Sequence, residues 1–220
     1  MLNSASNLNV VLFFALGSGI FALLGFKFWM IKSNPFKNFG IGLAMIGLAF
    51  LGWGAIVAMR PEDLANMMAL AILPFVLGFI FLVRAATFNW KKSNQTLILV
   101  IALAFLALLF TLRTWVYPSE PGFSENGLLY FNANNIVLLM YVLAFAGAFM
   151  PALHVVTSRI TVWRQAALGR IFFNLIVLGG VILMVSLDDE MQTLNSLILG
   201  TGFIGLLANF GFGKIEVESE

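Results

Sequence analysis

The chain has 220 residues, of which 61% are hydrophobic and only 10% charged, and its mean hydropathy is +0.99. A water-soluble domain of this size carries roughly 25% charged residues, so this composition excludes one and requires a surface wetted by lipid. The 12 basic and 10 acidic residues leave a net charge of +2. The bases are scattered among short loops instead of clustering on one exposed face, so a nucleic-acid partner is excluded as well.

With no cysteine in the chain, disulfides, thiolate metal sites and cysteine nucleophiles are also excluded. The N-terminus, MLNSASNLN, has no lysine or arginine ahead of the first apolar run, and no small-residue cleavage pattern follows it. The first run is therefore expected to be a retained helix and not a secretory signal.

A bilayer core about 30 Å thick takes about 20 helical residues to cross. Runs of that size occupy residues 9–31, 38–59, 63–88, 95–114, 131–157, 165–187 and 191–211. None alternates with the period of two that a transmembrane barrel requires. The expected fold class is an all-α integral membrane protein, a bundle of seven transmembrane helices. It forms a single domain over 1–212, followed by a short cytoplasmic tail at 213–220.

Start signals agree with these spans. Asn34-Pro35 precedes the second, Pro61 with Glu62 and Asp63 opens the third, Asn94 can cap the fourth, and Asp188, Asp189 and Glu190 lead into the seventh. Proline in the first turn and acids near an N-terminus both suit a helix start. Pro74 and Pro151 fall inside spans and should kink them. FWMIKSN (28–34) and FNWKKSN (88–94) are alike, a weak hint of a duplicated helix pair.

Lys27, Lys32, Lys37, Arg84, Lys91, Lys92, Arg159, Arg164, Arg170 and Lys214 flank alternate loops, leaving only Arg60 and Arg113 for the other side. The positive-inside bias then puts the N-terminus outside and the C-terminus in the cytoplasm. The expected location is a prokaryotic-type plasma (inner) membrane, crossed several times.

The outer loop TWVYPSEPGFSENGLLYFNANN (114–135) is the one long connection. Trp115, Tyr117, Tyr130 and Phe131 suit an interfacial aromatic belt. Loops of this length are often functional. Arg113, directly before it, can pair with the outer acids or receive an anionic ligand or headgroup. His154 is the only histidine, and it reads as an interfacial side chain near the carbonyl freed by Pro151, with a proton relay as the alternative. The seventh span, TLNSLILGTGFIGLLANF, has no lysine for a retinal Schiff base. No paired carboxylates fall at membrane depth, so no catalytic, metal or cofactor site is visible.

Amides within the spans are costly against lipid. Asn174, Asn195 and Asn209, together with Asn132, Asn134 and Asn135 at the start of the fifth span, should therefore face the interior. There they either link helices or line a polar cavity. Small residues at Gly40 and Ala44, at Ala144, Ala148 and Ala152, and at Thr201 and Gly205 permit close helix approach. The candidate ligand or partner contacts are Arg113, Trp115, Tyr117, Asn134, Asn174 and Asn195.

ILPFVLGFIFLVR (72–84), VWRQAALG (162–169) and the long loop between the fourth and fifth spans give the chain a resemblance to the seven-transmembrane sensor region of bacterial histidine kinases. That resemblance implies sensing of a ligand or membrane state in the outer half of the bundle, with output through the last helix. Only GKIEVESE follows Phe212, so a stand-alone sensor or subunit is implied, acting through a protein partner or a second copy. The expected function is non-enzymatic sensing of a small ligand or lipid, or service as a subunit of a larger assembly. The alternative is a small-solute transporter or channel whose polar path is lined by helices five to seven.

Overall fold

A computed structural model describes residues 4–59, 72–118, 122–123, 129–130, 133–185 and 189–218. Its helices are α1 (Ser4–Trp29), α2 (Asn34–Met59), α3 (Ile72–Ala86) and α4 (Lys92–Thr111). A π-helical turn, Leu112–Val116, extends α4. Helix α5 runs from Asn135–Ala144 through a π turn at Phe145–Phe149 into Met150–Thr157. Helix α6 is Trp163–Val185, and α7 is Asp189–Leu206, ending in a π turn at Leu207–Gly211.

Among the described residues six helical stretches are long and apolar enough to cross a membrane: Val11–Trp29, Asn34–Ala55, Lys92–Val116, Asn135–Thr157, Trp163–Ile182 and Thr193–Gly211. The fold is thus an apolar helical bundle of a multi-pass membrane protein. Helix α3 is shorter as described, because residues 63–71 of the expected third span lie outside the described residues. Pro61, Arg60, Glu62, Asp63 and Asp188 lie outside them too.

The helices form a ring in chain order, α1–α2–α3–α5–α6–α7, closed where the end of α7 meets α1. Helix α4 stands outside this ring, packed mainly against α3 and α5, with only Leu106 and Leu109 buried in its α-helical part. Glycines set the tightest crossings. A Cβ on Gly25 of α1 would lie 2.7 Å from the Gly40 carbonyl oxygen, and one on Gly78 of α3 would lie 2.9 Å from that of Gly42. In lipid no hydrophobic force draws helices together, so such backbone-to-backbone packing supplies the attraction. Ala144, Ala148 and Ala152 are all buried in α5. In α7, Gly205 lies under the Phe172 ring of α6, whereas Thr201 is exposed.

Pro151 does not sit inside a regular α-helix. The missing N–H and the ring of a proline disturb the turn before it, and here that turn is the π turn Phe145–Phe149, which takes up the misfit. His154, in the last turns of α5, is exposed.

One end of the ring is knitted by polar contacts. Lys27 Nζ donates to the carbonyls of Phe210 and Gly213, each at 3.1 Å, placing a cation at the carbonyl end of α7 where the helix dipole favours it. Gln95 Nε2 donates to the carbonyls of Thr87, Phe88 and Trp90 at 2.9–3.2 Å, fixing the turn that follows α3. The segment after α7 pairs with the α5–α6 connection: Thr161 N donates to Glu216 O and Glu218 N to Arg159 O, both at 3.0 Å. Arg159 reaches Asn89 and lies over the Phe88 ring. The fully buried Phe28, Phe36, Phe39, Phe173 and Phe210 pack at this end.

Candidate functional site

At the opposite end the ring is hollow. A cavity of about 110 Å³ opens there, with an almost wholly apolar lining. Its walls are chiefly aromatic: Phe13, Phe14 and Phe21 from α1, Phe50 and Trp53 from α2, Phe75 from α3, Phe110 from α4, and Tyr141, Phe145 and Phe149 from α5. Their rings meet mostly edge to face, as with Phe14 and Phe50 at 5.8 Å and Phe75 and Phe145 at 6.4 Å. Ring quadrupoles favour that arrangement. Large planar side chains meeting at their edges cannot close the centre of a six-helix ring, and Gly180 of α6 adds no side chain to fill it. Among the described residues nothing lies within 4 Å of where a Gly180 Cβ would stand.

Four polar side chains stand at or beside this cavity. Arg113, held by the π turn that extends α4, donates from Nη1 to the Tyr141 hydroxyl at 2.8 Å, and its guanidinium lies 5.9 Å from the Tyr141 ring centroid. Both residues line the cavity. Trp53 Nε1 is buried in the wall and has no hydrogen-bond partner among the described residues. Asn195, only 1% exposed, lies one turn before the lining residue Leu199. Its Oδ1 has no partner among the described residues and is 3.0 Å from where a Cβ on Gly179 would stand. A buried donor or acceptor left unmade costs about 1–3 kcal/mol. The cavity end therefore offers one donor, and one acceptor nearby, to whatever fills it.

The residues singled out from the sequence scatter. Arg113 joins the cavity and Asn195 lies beside it. Tyr117 packs half-buried against the core, donating its backbone N–H to Leu112 O. Trp115 turns away and is 78% exposed. Asn134 caps α5, its Oδ1 accepting from Ile136 N at 2.9 Å. Asn174 does not face the interior: it is exposed, on the same stripe of α6 as exposed Ile171 and Leu178, one position past buried Phe173.

Much of the outer loop, including Glu120, Glu125, Phe131 and Asn132, lies outside the described residues. Within it Gly122–Phe123 and Leu129–Tyr130 pair as short antiparallel strands, and the second lies beside α6.

Tyr141 and Trp53 are the functional candidates that the sequence pattern did not single out. The available signal was the 23 phenylalanines, more than a bundle needs for uniform packing, but periodicity does not say which of them converge. Among the described residues no three His, Asp or Glu side chains converge as metal ligands. No protein family, curated protein or solved structure matches the chain.

Proposed function

We propose that this chain is a non-enzymatic sensor module of a prokaryotic plasma membrane, binding a small apolar ligand or a single lipid chain in the aromatic cavity. The observation that carries the proposal is a hollow, ring-lined site with the Arg113–Tyr141 pair at its rim and, in its wall, a Trp53 N–H that has no partner among the described residues. An apolar body fits the rings, and an acceptor group on it answers the indole N–H. This lining favours binding over conduction of polar solutes, since it lacks the row of amides that a polar path needs.

In this reading the protein has seven spans, with α3 completed by residues 63–71. The ten bases at the polar-knitted end face the cytoplasm, so the cavity opens toward the outer leaflet. The resemblance to the sensor regions of bacterial histidine kinases fits a site in that half. Output passes to a partner, and Asn174 is suited to meet it, because an amide on an apolar helix face gains most from a partner helix that hydrogen-bonds it.

The test is photolabelling in proteoliposomes with a diazirine-bearing fatty acid, followed by peptide mapping. Label is expected on α2 and α5 around Trp53, Tyr141 and Phe145, and it should disappear in Gly180→Leu, which fills the cavity. Label confined to lipid-facing residues such as Leu97 and Val100, unaffected by that substitution, would overturn the proposal.

A further inference from the structure

A second site lies at the other end of the molecule and does not depend on the outer cavity. A groove of about 420 Å³ runs between the first turns of α6 and the last turns of α7, within the roughly 300–1,000 Å³ typical of small-molecule sites. Its two halves differ in chemistry. Toward the membrane it is lined by Leu168, Phe172, Gly205 and Ala208, and toward the basic face by Arg164, Gln165, Asn209, Lys214 and Glu216. The exposed Trp163 and Phe212, at 80% and 81%, flank it in sequence. Residues of that kind anchor at the headgroup level of a bilayer.

The polar half is a built site. Gln165 Nε2 donates to the carbonyls of Asn209 at 3.1 Å and Lys214 at 3.4 Å, while Asn209 Nδ2 donates back to Gln165 O at 2.8 Å. Two carbonyls on one side of the amide fix its orientation, because a flipped amide would set oxygen against oxygen. Gln165 Oε1 is consequently held in place, buried, and without a partner among the described residues. It waits for a donor. Glu216 supplies a negative charge in the same groove, and Arg164 and Lys214 supply two positive ones.

We infer that this groove binds one phospholipid bearing a primary ammonium headgroup, phosphatidylethanolamine in chemical class. Its phosphate meets Arg164 and Lys214, its ammonium donates to Gln165 Oε1 and faces Glu216, and one acyl chain runs along Phe172, Gly205 and Ala208. A phosphatidylcholine headgroup has the same charges but no N–H to give. A phosphatidylglycerol headgroup has no cation for Glu216. Because the groove joins α6, α7 and the segment after α7, the bound lipid would clamp that segment to the bundle.

Native mass spectrometry of the full-length protein tests this with phosphatidylethanolamine, phosphatidylcholine and phosphatidylglycerol of identical chains. The ethanolamine lipid should be retained about tenfold better than either of the others, the value of one charge-assisted hydrogen bond. The Arg164→Gln/Lys214→Gln variant, altered only at exposed positions, should lose that retention. Gln165→Leu should bring the ethanolamine lipid down to the choline lipid, with the melting temperature confirming that the variant is folded. Glycerophosphoethanolamine, the headgroup without chains, should fail to compete. Equal retention of all three lipids by the unaltered protein, undiminished retention by the double variant, or full competition by the free headgroup would each overturn the inference.

Discussion

Adjacent glycines in α6 make the sharpest test of the cavity. Gly180 lines it, with open space where a Cβ would be, whereas a Cβ on Gly179 would stand 2.5 Å from Leu199 Cγ and 2.6 Å from its Cδ2. An unfilled volume of about 110 Å³ at about 24 cal/mol per Å³ corresponds to an upper limit of about 2.6 kcal/mol of lost packing. A leucine fills part of that space, and replacing glycine inside a helix adds about 0.5–1 kcal/mol. Gly180→Leu should therefore stabilise the protein by about 1–2 kcal/mol, or roughly 3–6 °C for a chain of this size. Gly179→Leu should destabilise it by about 1–3 kcal/mol through overpacking. The assay is thermal unfolding in detergent, with and without a saturating medium-chain fatty acid. Ligand at a hundred times its dissociation constant stabilises by about 2.7 kcal/mol, so the unaltered protein should gain on addition while Gly180→Leu should not respond. A loss of stability in Gly180→Leu comparable to that in Gly179→Leu would mean the space is not there. A full ligand response in Gly180→Leu would place the ligand elsewhere.

Three further outcomes are expected. Asn195→Leu removes a buried acceptor that lacks a partner among the described residues and should raise the melting temperature by an amount equivalent to about 1 kcal/mol; a fall would reveal a partner for it. Gln95→Leu removes the donor to three carbonyls in the turn that follows α3 and should cost about 1 kcal/mol, with faster amide exchange at residues 87–91. Because the chain has no cysteine of its own, single cysteines report sidedness cleanly. A membrane-impermeant maleimide should label Ser119→Cys in intact cells and reach Lys32→Cys or Ser93→Cys only after permeabilisation. The reverse pattern would invert the orientation.

What the sequence disclosed follows from what a membrane makes costly. Length and hydropathy marked the helices, because an unpaired backbone cannot cross a bilayer. Gly40 and Ala44 were legible as a crossing because small side chains are what lets helices meet there, and Gly25 sits against both. Asn134 was expected to face the interior, but it is exposed and caps α5 instead, the role an Asn before an apolar run suits. The facing of each helix was not legible. Lipid and core are equally apolar, so Ile171, Phe173 and Leu178 look alike in sequence although only Phe173 is buried. That is why the amide of Asn174 was expected to lie inside. The Arg113–Tyr141 pair spans 28 positions, and the π turn that aims Arg113 has no local signature, whereas the one before Pro151 had the proline as its signal.

The two ends of the molecule are held together differently, and the difference is physical. At the basic end, helix termini are tied by side chains that satisfy carbonyls: Lys27 on Phe210 and Gly213, Gln165 on Asn209 and Lys214. These bonds fix α1, α6 and α7 relative to one another. At the other end the same helices are separated by a cavity walled with rings and bounded by one helix, α4, that stands outside the ring. Filling that cavity adds contacts only at the open end, so any movement it causes must pivot about the tied one. Helix α7 connects the two directly: Leu199 lines the cavity and Phe210 is buried in the tied end, where Lys27 holds its carbonyl. If the proposed ligand fills the cavity, α7 is the element through which pressure on Leu199 would reach the tied end. A substitution that loosens the Lys27 tie, such as Lys27→Met, should weaken that coupling without altering ligand affinity at the cavity by more than a small factor.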